Sequence, residues 1–395
     1  MLTVSSTDKI GIGMVGCGAM GTVHNLAYAS LQGVEVRAVC DIEEAKAESF
    51  ARRFGVKKWY RSYKDLVKDK AVDAVDVCTY HSSHGGPAIA AAEAGKHVAV
   101  QKPFAYDVKD AEEMVRAARK AGVKITVDEP EVFYAPITKA KEIVDEGKIG
   151  KLIMMLVSTI RGARPPAPGG RPATTPSTDW KRDVRTAGGG SIFDTGWHRL
   201  SIAYWFLGEP SEVQAYIETP LVDRQEPFDM MMWKCDQSAT YGFFRFMRQP
   251  NMYVHTDSVP LASQLEFNGT DGTVWVNRGS EGRLLKNPSI VLRSRDGSTT
   301  DHDVEEDYLS SFRLMKREWI ECLTRDKRPR ITGEDGVKIE RFVLAAYKSG
   351  KERRPVSPST ITDWDWVEYY TGMVDKETEL AMMKTRNDPL EANRR

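Results

Sequence analysis

The chain has 395 residues, 41% apolar and 28% charged, a globular composition on a chain longer than one hydrophobic core usually serves. Its 56 basic and 56 acidic side chains cancel, so no overall charge draws it to nucleic acid or to an anionic membrane surface. Five cysteines, at 17, 40, 78, 235 and 322, are scattered and never form a C-x-x-C pair, which argues against a disulfide framework and a zinc site; no metal is expected.

The N-terminal stretch has no basic segment ahead of a long apolar run, and no stretch approaches a membrane span, so a cytoplasmic location is expected. The first predicted element is the apolar strand of "KIGIGMVGCGAMG", which runs into Gly16, Gly18 and Gly21 in G-x-G-x-x-G spacing. In that pattern the first glycine makes the turn, the second lets backbone approach a pyrophosphate, and the third allows close helix packing. The phosphates would lie at the start of the next helix, at Ala19 and Met20, where free N–H groups and the helix dipole favour negative charge. His24, inside that helix, reads as structural. A second strand, "VEVRAVCD", ends at Asp41, 20 residues after Gly21. Its carboxylate either accepts from adenosine ribose hydroxyls or caps the following helix. Ile42, Glu43 and Glu44 follow, with no cation for a 2′-phosphate, so NAD is favoured over NADP.

The alternation continues through "AVDAVDVCTY", "GGPAIAAAEAG", "KHVAVQKPF", "DVKDAEEMVRAARKAG" and "VKITVDEP", which predicts a doubly wound parallel sheet. Ligands bind such sheets beyond the carboxyl ends of the strands. That edge should carry "TYHSSH" (79–84), with Thr79, His81 and His84, and "QKPF" (101–104), with Gln101 and Lys102. His84 either orients the loop or serves the cofactor site. Lys102 follows an apolar strand and precedes a proline that holds its backbone extended. It is placed to polarise a substrate oxygen, or it is a loop lysine in water.

From residue 131 the pattern changes to longer strands without helices between them, "SEVQAYIE", "SATYGFFRFM", "SQLEFNGTDGTVWVNRG" and "SIVLRSRDG". Asn-Gly-Thr-Asp-Gly reads as a hairpin, and the whole as an α+β domain with a large, mainly antiparallel open sheet that needs a cover. The Pro/Gly-rich segment 161–190 suits a binding loop or lid. It carries Arg161, Arg164, Lys181, Arg182 and Arg185, either a solvated or subunit-facing surface or a means of recognising an acidic sugar; Trp180 suits the flat face of a sugar ring. "GGGSIFDTGWHRLSIAYWFLG" (188–208) predicts a glycine hinge and a helix whose stripe is Phe193, Trp197, Leu200, Tyr204 and Leu207, stopped by Gly208. Asp194 and His198 lie one turn apart on its flank, a satisfied polar pair at a core edge or a catalytic one. The aromatic stretch after Val356 predicts a helix that packs on its own domain or on a neighbouring subunit.

This ordered series resembles the Gfo/Idh/MocA oxidoreductases, the relatives of glucose-fructose oxidoreductase and inositol dehydrogenase. The resemblance runs from the Gly16 turn through "QKP", "GKIGKL" and "GGGSIFDTGWH" to "RPRITGEDGVKIERFVLAAYKSGKERRPV", roughly residues 8 to 357. It implies a Rossmann domain over 1–130, a substrate-binding and oligomerisation domain over 131–357, and a helical extension over 358–395. It implies NAD-dependent hydride transfer at a hydroxyl-bearing carbon of a sugar, anhydrosugar or cyclitol, in a homodimer or homotetramer formed through the C-terminal sheet. Lys102 matches the family's E-K-P lysine, and Asp194 and His198 match its D-x-x-x-H pair, so the three should converge on one substrate hydroxyl. His198 would move the proton, Lys102 would stabilise the alkoxide, and Asp194 would fix the substrate or the histidine; Arg161 and Trp180 would complete substrate binding. The chain departs from the family at Gln101, where a glutamate is usual, at Phe133 in place of an arginine, and at Tyr80 and His81. Two other functions share the fold: redox-neutral, NAD-dependent glycoside cleavage, and non-catalytic regulation by NAD binding.

Overall fold

Through residue 128 short apolar strands alternate with helices, a pattern that buries its strands only as a parallel sheet with helices on both faces. The computed structural model describes residues 9–163, 179–218, 226–253, 261–278, 288–304 and 307–371. Its first half runs β1 (Ile10–Val15), α1 (Ala19–Ala29), β2 (Val34–Cys40), α2 (Glu44–Phe54), β3 (Lys58–Tyr60), α3 (Tyr63–Leu66), β4 (Ala74–Val77), α4 (Gly85–Glu93), β5 (His97–Gln101), α5 (Val108–Ala121) and β6 (Ile125–Asp128). The six strands form one parallel sheet in the order β3-β2-β1-β4-β5-β6. The order reverses between β1 and β4, which opens a crevice at the carboxyl ends of those strands.

The second half runs α6 (Ala135–Asp145), β7 (Leu152–Ala163), α7 (Val184–Ala187), α8 (Trp197–Leu207), β8 (Glu212–Ile217), β9 (Phe228–Cys235), β10 (Thr240–Tyr253), β11 (Leu261–Gly269), β12 (Thr273–Arg278), β13 (Ile290–Arg293), β14 (Thr299–His302), α9 (Tyr308–Thr324), α10 (Gly333–Glu352) and α11 (Trp366–Thr371). Its eight strands pair in the order β14-β13-β12-β11-β7-β10-β9-β8, antiparallel except where β7 meets β10. The expected hairpin is present: Gly269 N donates to Gly272 O at 2.9 Å as β11 turns into β12. One face buries Met155, Val157, Phe244, Phe246, Leu265 and Phe267. The alternate side chains, among them Tyr216, Met232 and Tyr241, stand exposed on the other face.

The two sheets are not separate bodies. Helix α9 returns to the first sheet, where Trp319, Cys322 and Leu323 pack with Ile12, Met14 and Val39. Ahead of α10, Ile331 O accepts from Val127 N at 3.1 Å and from Thr126 Oγ1 at 2.9 Å, which closes the free edge of β6. A buried ion cluster adds to this union. The Lys316 ammonium on α9 donates to Asp76 on β4 and to Asp128 on β6, each at 2.6 Å, and His24 Nδ1 stands 3.1 Å from Asp76. With Cys78 these groups make a tight His/Asp/Cys set, but the ammonium already supplies its positive charge.

The extension folds onto its own chain. Trp366 is fully buried, its indole N–H donates to Tyr106 O at 2.8 Å, and its ring lies on the backbone of Gly188 and Gly189, where a Cβ would stand 3.0 and 2.5 Å from it. The part of the predicted extension beyond residue 371 lies outside the described residues, as does Arg164.

Candidate active site

At the end of β1, Gly16 adopts φ +104°, and a Cβ at Gly21 would stand 2.1 Å from Gly16 O, so both positions require glycine. Gly18 caps α1 without a side-chain bond, and a Cβ built there meets nothing within 4 Å. The exposed backbone of Gly18 and Ala19 therefore opens onto free space at a helix N-terminus, with Met20 behind it, and this cradle fits a pyrophosphate. Asp41 Oδ2 accepts from Cys17 N and Oδ1 from Glu43 N, both at 2.9 Å, which ties the end of β2 to the glycine turn. Ile42 is 74% exposed beside it, and no basic side chain follows before Lys46, which is paired with Glu43.

Three strand ends carry the polar groups of this edge. After β4, Thr79 Oγ1 donates to Ser83 O at 3.0 Å. His84 is fully buried between the carbonyls of Pro103 (3.0 Å) and Thr79 (3.2 Å), so it joins the β4 and β5 loops, and burial pulls its pKa down to about 4. His81 Nδ1 lies 2.8 Å from Ala187 O, which only accepts, so that nitrogen carries the proton; burial lowers this histidine to about 3. Its ring meets Trp180 edge-on at 4.9 Å, and Trp180 also packs on Tyr80 at 4.9 Å. Gln101, at the end of β5, keeps a buried amide oxygen with no hydrogen-bond partner among the described residues, which suits a donor on a bound cofactor.

Lys102 and Asp194, 92 residues apart, meet directly. The ammonium donates to Asp194 Oδ1 and to Asp194 O, both at 2.9 Å. Lys181 Nζ donates to the other carboxylate oxygen at 2.6 Å. Burial alone would raise the Asp194 pKa; the two ammonium groups reverse this and hold it well below the usual carboxylate range.

His198 has a different partner from the expected one. Its Nδ1 lies 2.7 and 2.9 Å from the two oxygens of Glu129, a fully buried carboxylate just past β6 that also accepts from Glu131 N at 2.8 Å. A carboxylate so placed holds the imidazole proton on Nδ1 and leaves Nε2 as the basic nitrogen. Burial lowers the His198 pKa; Glu129 opposes that shift and Lys102 adds to it.

Asp194 and His198 part company because the helix is irregular. Residues Ile192–Gly196 form one π-helical turn before α8 proper, so the expected shared face is broken. The backbone there is held from outside: the Tyr347 hydroxyl accepts from Gly190 N (3.0 Å) and Phe193 N (3.1 Å), and Glu226 accepts from Ser191 N. Phe193, Trp197, Leu200 and Leu207 of the predicted stripe are buried, while Tyr204 is half-buried and donates to Asp335 at 3.0 Å.

Asp194 lies in a small open cleft that is also lined by Arg161, Lys181, His81 and the small residues Ala187, Gly189 and Gly190. The convergent groups suit a polyhydroxylated ligand: fixed ammonium donors, one carboxylate acceptor, and a histidine with a free basic nitrogen. Sequence reasoning did not single out Glu129 or the Lys181 contact. "VDEP" carried the same signal as "QKP", a charged residue between an apolar strand and a proline at the ligand-binding edge.

The comparisons agree with this architecture. Residues 10–129 match the family model described as oxidoreductase family, NAD-binding Rossmann fold, and residues 141–357 match its C-terminal alpha/beta domain. The chain is 27% identical to myo-inositol 2-dehydrogenase of Thermotoga maritima, covering 87% of this chain and 97% of that protein. It is 26% identical to scyllo-inositol 2-dehydrogenase (NAD(+)) of Bacillus subtilis, covering 91% and 98%. A levoglucosan dehydrogenase solved with NADH and levoglucosan superposes with a TM-score of 0.75 at 20% identity, covering 89% of this chain and 99% of that one, and so shares the fold. The glycine cradle at the sheet's reversal point and the matched span of both domains lead to one assignment: the chain belongs to the Gfo/Idh/MocA family of NAD-binding oxidoreductases.

Proposed function

We propose that the protein is an NAD-dependent dehydrogenase acting on a hydroxyl-bearing carbon of a sugar, anhydrosugar or cyclitol, with Lys102, Asp194 and His198 as its catalytic residues. The observation that carries this reading is the direct contact of Lys102 with Asp194, in the π turn that leads into the helix bearing His198, at the same sheet edge as the glycine cradle. The inositol dehydrogenases among its relatives, and a levoglucosan dehydrogenase of Pseudarthrobacter phenanthrenivorans 27% identical over 70% of this chain, support the substrate class.

NAD, when bound, supplies the hydride acceptor, and the chain's own residues manage the proton and the charge. Gly16, Gly18 and Gly21 present the α1 N-terminus to the pyrophosphate, Asp41 takes the ribose, and Thr79, His81, His84 and Gln101 shape the nicotinamide end. His198 Nε2 accepts the substrate hydroxyl proton while Nδ1–H stays on Glu129. Lys102 stabilises the oxygen as negative charge develops on it. Asp194 aligns Lys102 and balances it and Lys181. The first 130 residues thus hold the cofactor and lend Lys102 and Glu129 to the reacting hydroxyl, and residues 131–357 supply the rest of the substrate site.

The reading includes a homo-oligomer in the cytoplasm. Register places Phe243 beside Leu156 and Met232, and Met247 beside Ile160 and Phe228, on the open face of the second sheet. An apolar face of this kind is a natural interface between copies. No helix among the described residues is long and apolar enough to cross a membrane.

The test is a spectrophotometric panel of inositols, aldoses, anhydrosugars and glycosides with NAD and NADP. NADH formation with one polyol class, lost in Lys102→Ala, is the expected result. Glycoside cleavage without NADH accumulation would overturn the proposal.

A further inference from the structure

Among the described residues, positive charge exceeds negative charge around Asp194. Lys181 and Arg161 line the cleft with it and Lys102 adjoins it, against two carboxylates, Asp194 itself and Glu129 on His198. Both carboxylates are engaged: Asp194 gives one oxygen to each lysine, and Glu129 gives both of its oxygens to His198. His81 is no anion either, since its Nδ1–H is used on Ala187 O.

Arg161 is the cation left over. It lies near the end of β7, lines the cleft with Lys181 and Asp194, and its side chain has no hydrogen bond or ion pair among the described residues. Its neighbour in register on β10 is Arg248, a like charge rather than a partner. The guanidinium is half-buried and feels only the Asp194 carboxylate, whose two oxygens are already taken by lysines, so its N–H donors are left for an anion that a ligand brings. Among the described residues, the cleft that it lines is bounded in part by the small Ala187, Gly189 and Gly190.

We infer that the substrate is an acidic sugar, its carboxylate or phosphate taken by the Arg161 fork with Lys181 beside it, and its reacting hydroxyl directed to Lys102 and His198. This rests on the dehydrogenase reading above and narrows it from neutral polyols to anionic ones. A planar guanidinium offers two parallel N–H bonds to such a group, which a neutral CH2OH does not use.

The test compares matched pairs that differ in that one group: D-glucuronate and D-glucose 6-phosphate against D-glucose, D-galacturonate against D-galactose, and D-gluconate against D-glucitol. NAD reduction is followed with wild type, Arg161→Gln and Arg161→Lys. The expected result is that one anionic series exceeds its neutral partner at least about tenfold in kcat/KM, the carboxylate and phosphate arms deciding between the two anions. Arg161→Gln should lower the anionic-to-neutral ratio about 10- to 100-fold and Arg161→Lys less, with unchanged melting temperature and NADH binding as controls on folding.

Preference for the neutral partner, or a ratio unmoved in Arg161→Gln, overturns the anionic class while leaving the dehydrogenase in place. If no compound reduces NAD, calorimetric titration of the NADH-loaded enzyme with the same anions decides. Binding that Arg161→Gln abolishes supports the anionic site against the redox reading, and absence of binding overturns both.

Discussion

Glu129→Gln separates orientation from charge at His198. The amide oxygen can occupy the position of Oε1, where it still accepts from Glu131 N and from His198 Nδ1–H, while the amide NH2 replaces the second oxygen, an acceptor 2.9 Å from Nδ1, with a donor. What is lost is the negative charge against the imidazole. A hydrogen bond to a charged group is worth about 1.5–3 kcal/mol, and one pKa unit is about 1.4 kcal/mol, so the histidine pKa should fall by about one to two units. The sign follows from the existing balance: burial already lowers His198, Glu129 opposes that, and removing the opposing charge lowers it further. His198 must be neutral to accept the hydroxyl proton. The acid limb of kcat/KM for oxidation therefore moves to lower pH by about one to two units, and the plateau drops about 10- to 100-fold because the base is weaker. Steady-state oxidation across pH 4 to 10, with melting temperature as a control, measures both. A limb that stays in place or moves to higher pH would refute the assignment of Glu129 as the residue that positions and charges His198.

Gly18→Ala should leave stability within about 0.5 kcal/mol, since its Cβ enters open space, yet raise the KM for NAD at least about tenfold; thermal melting and cofactor titration read the two effects separately. Asp41→Ser should lower kcat/KM with NAD and narrow the NAD-to-NADP ratio, checked by parallel assays with both cofactors. Lys316→Met leaves two buried carboxylates without their cation and should destabilise the fold by about 3–5 kcal/mol in urea titration, far more than loss of an exposed lysine.

The parallel sheet was legible because its information is local: an apolar run, a turn, a helix, repeated. Glycine spacing likewise carried the Gly16 turn, since the need for positive φ and for close approach at Gly21 is written in residue type alone. The meeting of Lys102 with Asp194 came from the family resemblance, as 92 residues of chain separate them. Glu129 escaped because its partner is set by the rotation of α8, and a π turn shifts that rotation without a mark in the apolar stripe. His24 read as structural, yet nothing in the first helix announced that its surroundings would be completed by Lys316, which contacts the same aspartate from 240 residues away. Local pattern reports what a segment can do, and long-range pairing decides with which group it does it.

The position of Lys316 has a consequence for how the protein is made. It pairs with Asp128 across 188 residues, so the face of the first sheet that α9 covers is synthesised well before its cover. At about 5–20 residues per second, that interval is about 10–40 seconds on the ribosome, with two acidic side chains and an apolar face awaiting their partner. The cradle for the cofactor can form in that time; the mount of the helix that carries His198 cannot, because Tyr347 and Trp366 emerge later still. A nascent chain halted before residue 308 should therefore be a substrate for chaperones rather than a half-active enzyme.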